Sequence, residues 1–291
     1  MHRHVLTRRD FMRTTAGAAG AMAFGLGPAA AAAARPPRAA RVTLVRDARA
    51  LVDSISVNTA ILRRMLDETL LSVTGQTTAR DAWLSLVQPG DVIGLVPTDH
   101  LNPTHDELIE AVRRSLVAAG IPDGNIRDAQ GSPANAEACT ALIAMPGLKA
   151  HWLTGLGTVL KNYIMFSGHP SRYHREDNTR LGEIWQMPAV KGKTRLVLVD
   201  ALRPLCDKGP QADPRYMWPY GGLIAGRDPV AVEAVGLRII TAKRTALRGE
   251  PWPLSPPPLC VAAADEVYGL GTSRDAEITI DHRGWEQDLL L

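Results

Sequence analysis

Pro89-Gly-Asp-Val-Ile-Gly-Leu-Val-Pro-Thr-Asp-His-Leu-Asn-Pro-Thr-His-Asp-Glu-Leu-Ile-Glu-Ala-Val-Arg-Arg-Ser-Leu-Val-Ala-Ala-Gly120 reads as a strand followed by a helix. Pro89-Gly90 signals a turn, and Asp91–Val96 is the short apolar run of a strand buried on both faces. Thr104-x-x-Glu107 has the form of a capping box. A stripe follows at Leu108, Ile109, Val112 and Leu116, and Gly120 supplies the stop. Similar signals recur on either side. Val42–Val45 reads as a strand and Thr59–Leu71 as an amphipathic helix. Ala134–Met145 fits a helix and Thr194–Asp200 a strong strand. Gly222–Gly226 leads into Asp228-Pro229, a cap and first-turn pair that opens an apolar helix, Val230–Ile240. Pro251–Pro258 is a surface connector, and Glu277–Ile280 a late strand. This alternation predicts an α/β fold: a mixed, partly parallel sheet with helices on both faces, spanning residues 35–291 as one domain or as two lobes with a cleft. Ligands of such sheets bind beyond the carboxyl ends of the strands. That rule directs attention to Thr98-Asp99-His100, to Asp128 through Ser132, and to Asp200.

The N-terminus carries a separate message. Thr7-Arg8-Arg9-Asp10-Phe11-Met12-Arg13 precedes a weakly apolar run, Thr14–Leu26, and an alanine tract, Ala29–Ala34. Charged start, short apolar stretch and small residues make a secretory signal, and the arginine pair with its flanks resembles the twin-arginine signature. Residues 1–34 are therefore expected to be a signal peptide read by the twin-arginine export machinery, which delivers the chain to the periplasm or the exterior. The run is too short and glycine-rich to span a bilayer, so no membrane span is expected after cleavage. That route carries folded cargo, often with a cofactor already bound.

The chain has 33 Lys and Arg against 30 Asp and Glu, and the first 34 residues account for the whole excess. The remaining body is neutral, which gives no electrostatic reason to expect a nucleic-acid partner. Cys139, Cys206 and Cys260 are far apart, with no C-x-x-C pair, so an iron–sulfur cluster or thiolate zinc site is excluded. One disulfide with a spare thiol, or three buried thiols, remain. There is no phosphate loop, zincin motif or nucleophile elbow. Gly155-Leu-Gly157 lacks the third glycine and the preceding strand of a dinucleotide fingerprint.

The most unusual stretch is Lys149-Ala-His151-Trp-Leu-Thr154-Gly-Leu-Gly157-Thr-Val-Leu-Lys161-Asn162, continued by Tyr163-Ile-Met-Phe166 and a loop holding His169, Arg172, His174 and Arg175. Lys161 lies between large apolar residues. It either snorkels from a buried helix or is held against an anion. The loop histidines and arginines suit an anionic ligand, with Arg172 and Asn162 as contacts. His169 and His174 also admit a divalent metal, although their spacing fixes no ligand geometry. His151 is a third imidazole, either buried and satisfied by backbone or part of the site. Glu233, a carboxylate in an otherwise apolar helix, must be paired, hydrogen-bonded or protonated. Asp200 ends an apolar strand at a site-forming position. Asp228, a helix cap, is placed with the ligand contacts.

Pro89–Gly94, Thr104–Gly120, His151 through Thr154-Gly155 to Leu160-Lys161-Asn162, and Leu198-Val-Asp200-Ala201 resemble the family called domain of unknown function 362. So do Asp228-Pro-Val-Ala-Val-Glu-Ala-Val-Gly236 and Gly269-Leu-Gly271, and the likeness runs from Val42 to Ile280. Exported members belong to that family's usual range, and some members carry ferredoxin-type cysteines that this chain lacks. Two departures stand out. Leu95-Val-Pro-Thr98 replaces the usual Ile-Lys-x-Asn, and Glu233 replaces an Asp. The resemblance implies little chemistry. Together these readings lead to an exported enzyme acting on a small anionic metabolite, with or without a metal or cofactor. His151, Lys161, His174, Asp200 and Glu233 are its expected catalytic group; Asn162, Arg172 and Asp228 its substrate contacts. The alternative is a non-catalytic periplasmic protein that captures a metal or metabolite.

Overall fold

In the computed structural model, which describes Arg38–Leu291 apart from His100, the quoted stretch forms β4 of a nine-stranded sheet and one of the helices beside it. The strands in chain order are β1 (Ala40–Arg46), β2 (Leu51–Val52), β3 (Ser56–Val57), β4 (Ile93–Pro97), β5 (Ile126–Asp128) and β6 (Ala141–Met145). They continue with β7 (Gly147–His151), β8 (Gly155–Leu156), β9 (Thr194–Leu205), β10 (Gly222–Gly226) and β11 (Ile278–Gly284). The helices are α1 (Thr59–Thr74), α2 (Ala79–Leu86), α3 (Asp106–Ala119), α4 (Pro133–Glu137), α5 (Val159–Asn162), α6 (Leu181–Trp185), α7 (Pro229–Arg248) and α8 (Cys260–Glu266). The signal-peptide and twin-arginine readings concern residues 1–34 and lie outside the described residues, as does His100.

The main sheet runs β11-β1-β10-β9-β6-β4-β5, with β7 continuing alongside β9. Along that path β10 is the one strand that runs against its neighbours; the pairs β1–β11, β4–β5, β4–β6, β6–β9 and β7–β9 are parallel. Alternate side chains of the central strands enter two separate cores. Leu196, Leu198, Ile93, Leu95, Ala141 and Ile143 join Leu62, Leu66, Trp83 and Leu108 on the face covered by α1, α2 and α3. Val197, Val199, Val96, Leu142 and Ala144 join Leu160, Trp185, Val235 and Cys260 on the face covered by α5 to α8. Burial on both faces is why these strands read as continuous apolar runs. The expected mixed α/β sheet is therefore present, and Arg38–Leu291 makes one compact unit.

Local chemistry explains the helix ends. Asp228 accepts from the Val230 and Ala231 amides, Pro229 occupies the first turn, and Gly249 closes α7 at φ +77°. Gly120 ends α3 at φ +105°. Two expectations are corrected. Ala134–Met145 is not one helix: α4 ends at Glu137 and the apolar remainder is strand β6, pairing with β4 from Ile93↔Ala141 to Pro97↔Met145. A short apolar run of this kind fits a buried strand or a buried helix equally well. Thr104 is not a cap, either. α3 begins after His105, without a side-chain cap, while the Thr104 hydroxyl donates to the Met145 carbonyl (2.6 Å) and accepts from the Thr98 amide (3.0 Å). It fastens the 98–104 loop to the end of β6.

Candidate functional site

The site lies at the carboxyl ends of β4 and β6, where the chain reverses its direction across the sheet. From β4 it crosses through α3 to β5 at one edge, then through α4 to β6 on β4's other side. Crevices form at such reversals, because successive connections leave over opposite faces. The pocket there has a volume of about 160 Å³. Thr98 and Asp99 after β4, Gln130 and Gly131 after β5, Lys149 and His151 of β7, Lys161 and Asn162 of α5, and His174 all line it.

Lys149 is buried, between Leu148 and Ala150. Its Nζ donates to the carbonyls of Leu101 and Asn102, both at 2.9 Å. Those two residues hold left-handed backbone, φ +54° and +68°, costly for a leucine and a sign of local strain at the loop that faces the pocket. Burial first, and then the nearby Lys161, pull the Lys149 ammonium down to about 7 against the weaker pull of Asp99 and Asp200. Lys161 is half-buried and also pulled down by burial, to about 8. Among the described residues it makes no hydrogen bond or ion pair.

The segment bearing these amines is tied down from several sides. The Lys149 amide donates to the Thr158 hydroxyl (3.2 Å), and the Gly157 amide to the Lys149 carbonyl (2.9 Å). Gly157 runs so close to His151 that a Cβ would sit 3.1 Å from the His151 Cβ. The Glu233 carboxylate accepts from the Val159 amide at 2.6 Å and the Leu160 amide at 3.4 Å, which caps α5. Burial nevertheless raises its carboxyl to about 7, the two amide bonds opposing. Trp185 donates to the Leu160 carbonyl, and Asn162 Nδ2 to the Val96 carbonyl at 2.7 Å. Asn162 thereby joins α5 to the end of β4.

His151 accepts at Nδ1 from the Leu153 and Thr154 amides, 3.1 and 3.2 Å away. A neutral ring with Nδ1 so used carries its proton on Nε2. Burial, then Lys161, His174 and Lys149, push its pKa down to about 3, so at ordinary pH it is a neutral donor. The His174 ring stacks on it, centroids 5.8 Å apart and planes 14° apart.

Of the residues read from the sequence, His151, Lys161, Asn162 and His174 therefore meet in one pocket, joined by Lys149, which had been noted only as part of the motif. A lysine inside an apolar strand was its available signal. Glu233 stands behind the pocket as the cap of α5. Asp200 is turned elsewhere: Oδ2 accepts from the His105 amide (2.8 Å) and lies 2.7 Å from His105 Nδ1, while Oδ1 accepts from Leu202. Burial opposes a charged His105 ring, but the Asp200 carboxylate outweighs it and raises the pKa. Asp228 holds the start of α7 and the Thr272 amide. Arg172 and His169 are exposed and do not line the pocket. Among the described residues no three His, Cys, Asp or Glu side chains gather as a metal-ligand group, so His169 and His174 acquire no third ligand. The three cysteines are buried free thiols, and no helix of the described residues is long and apolar enough to cross a membrane.

No curated protein and no solved structure shows significant similarity to the chain. Residues 99–238, narrower than the Val42–Ile280 likeness, match the family described as Domain of unknown function (DUF362), and that span contains Lys149, His151, Lys161 and His174 of the pocket.

Proposed function

We propose that the protein is an exported enzyme acting on a small anionic metabolite, bound in the pocket between β4, β7 and α5. The observation that carries this reading is Lys161: a half-buried ammonium facing a pocket beside a second lysine, with no anionic partner among the described residues. A buried cation without a counter-charge is unfavourable, and a carboxylate or phosphate would relieve it. Lys161 holds the anion, Asn162 keeps α5 in register with β4, and the His151 Nε2–H donates to a ligand oxygen. His174 is the acid or base, since His151 is held neutral by its two amide bonds. Glu233 is a positioning residue acting through α5.

Because anion binding favours the charged amine, affinity falls as pH rises through about 8. Calorimetric titration of acetate, pyruvate and phosphate into wild type and Lys161→Met tests the reading. Saturable binding, weakened about tenfold or more in a variant that melts normally, is the expected result for loss of a charge-assisted bond. Equal affinity in both proteins would refute it. Product formation, followed by mass spectrometry, separates the enzyme from a carrier that returns its ligand unchanged. Export by the twin-arginine route is supported by Arg8-Arg9 and their flanks. It predicts that Arg8→Lys with Arg9→Lys retains the protein in the cytoplasm.

A further inference from the structure

We propose that Lys149 is a nucleophilic amine that forms an imine with the carbonyl carbon of an oxo acid whose carboxylate is held by Lys161. The inference rests on the anion-site reading and names its substrate class. Its basis is how the Lys149 nitrogen is held. Two carbonyls, Leu101 and Asn102, take two of its hydrogens at 2.9 Å each. A neutral amine has only two, so its lone pair is left in the remaining direction on a side chain that lines the pocket. Both acceptor carbonyls belong to residues at positive φ, and at Leu101, which has no side-chain reason to be there, that backbone is costly. No carboxylate among the described residues lies within ion-pairing distance of it. The next cation is Lys161, whose charge favours the neutral form along with burial, which leaves Lys149 near 7. A desolvated lysine beside another cation is the arrangement that activates imine-forming amines. Lys161 thus serves twice, repelling a proton from Lys149 and attracting the substrate's carboxylate.

The step balances without an oxidant or reductant. The amine adds to the carbonyl carbon, a C–N bond forms and the π pair moves to oxygen. That oxygen leaves as water with the two amine hydrogens, breaking the C–O bond. If one proton is taken up, the protonated imine keeps an N–H for one of the two backbone carbonyls. His174, stacked on His151 at the pocket wall, is the group on hand to deliver protons to the departing oxygen.

The test is to incubate the purified protein with pyruvate, reduce with sodium borohydride, and map the modified peptide by mass spectrometry, with pyruvate binding measured calorimetrically in parallel. The expected result is one reduced pyruvate adduct on Lys149, suppressed by excess acetate and diminished about tenfold or more in Lys161→Met. Lys149→Met should show no adduct. Because that variant also loses the tie to the 98–104 loop, the decisive reading is the mapped position in the wild type. Binding without an adduct, or adducts scattered over surface lysines, would overturn the imine and leave the anion site standing. Neither binding nor adduct would remove both.

Discussion

Lys149 and Lys161 lie in the same pocket, and burial depresses both below the usual lysine value of 10.5, Lys149 to about 7 and Lys161 to about 8. For a lysine whose folded pKa lies below its unfolded one, the unfolded chain binds the extra proton between the two values. Stability therefore rises with pH across that window. Lys149→Met should remove most of the rise between pH 7 and the unfolded value, as read by denaturant unfolding at a series of pH values; an unchanged slope would mean Lys149 is charged throughout. His151 makes a complementary prediction. With two amides on Nδ1, its ring nitrogen shifts should keep the neutral Nε2–H pattern well below pH 6.5. An imidazole that titrates near 6.5 would contradict the arrangement. At this scale the sequence exposed Lys161, Asn162, His151 and His174 through their apolar or loop surroundings. Asp200 and Asp228 were equally visible, but a carboxylate at a strand or helix end looks the same whether it meets a ligand or a backbone amide. Only the fold shows them spent on His105, Leu202, Val230, Ala231 and Thr272.

At the scale of elements, α5 is a single turn that does not stand by itself, and Glu233 of α7 supplies its missing acceptors. Glu233→Ala leaves two buried amides unsatisfied and should cost about 1–3 kcal/mol in a denaturant titration, together with weaker anion binding through Lys161. Glu233→Gln keeps one acceptor and should fall between. The pH sign is opposite to that of the lysines: a carboxyl raised from 4.5 to about 7 retains its proton in the fold, so its contribution is lost as pH rises through 7. The Gln variant should lack that loss. Gly155, in the pair that falls short of a dinucleotide fingerprint, sits at φ +72°, and a Cβ there would collide with the Pro256 carbonyl. Gly155→Ala should accordingly lower the melting temperature without any nucleotide being involved; an unaltered melt would show the contact can open. Elements with both a period and punctuation, such as α7 between Asp228-Pro229 and Gly249, were legible in the sequence. β6 was not, because Ala141–Met145 carries no period to separate strand from helix, and Thr104 misled because its cap-like spacing is used to tie a loop.

Across the whole molecule, β4, β6, β9 and β10 each feed side chains into both cores, so neither helical layer can be lost while the other stays ordered. Trp83 reports from one core and Trp185 from the other. Unfolding followed through Trp83→Phe and Trp185→Phe should give coincident midpoints by fluorescence and circular dichroism within each variant; separated transitions would show independent layers. The same sheet carries the pocket, since the chain leaving β4 brings in Asp99 and β7 brings Lys149 and His151, while α5, packed in the same core as Leu148 of β7, brings Lys161. The most direct test of the account is calorimetric titration of pyruvate into wild type and Lys161→Met at pH 7 and pH 9. The account predicts saturable wild-type binding that weakens at pH 9 and about tenfold or more weaker binding in the variant at pH 7. Binding that ignores both the substitution and the pH would contradict it.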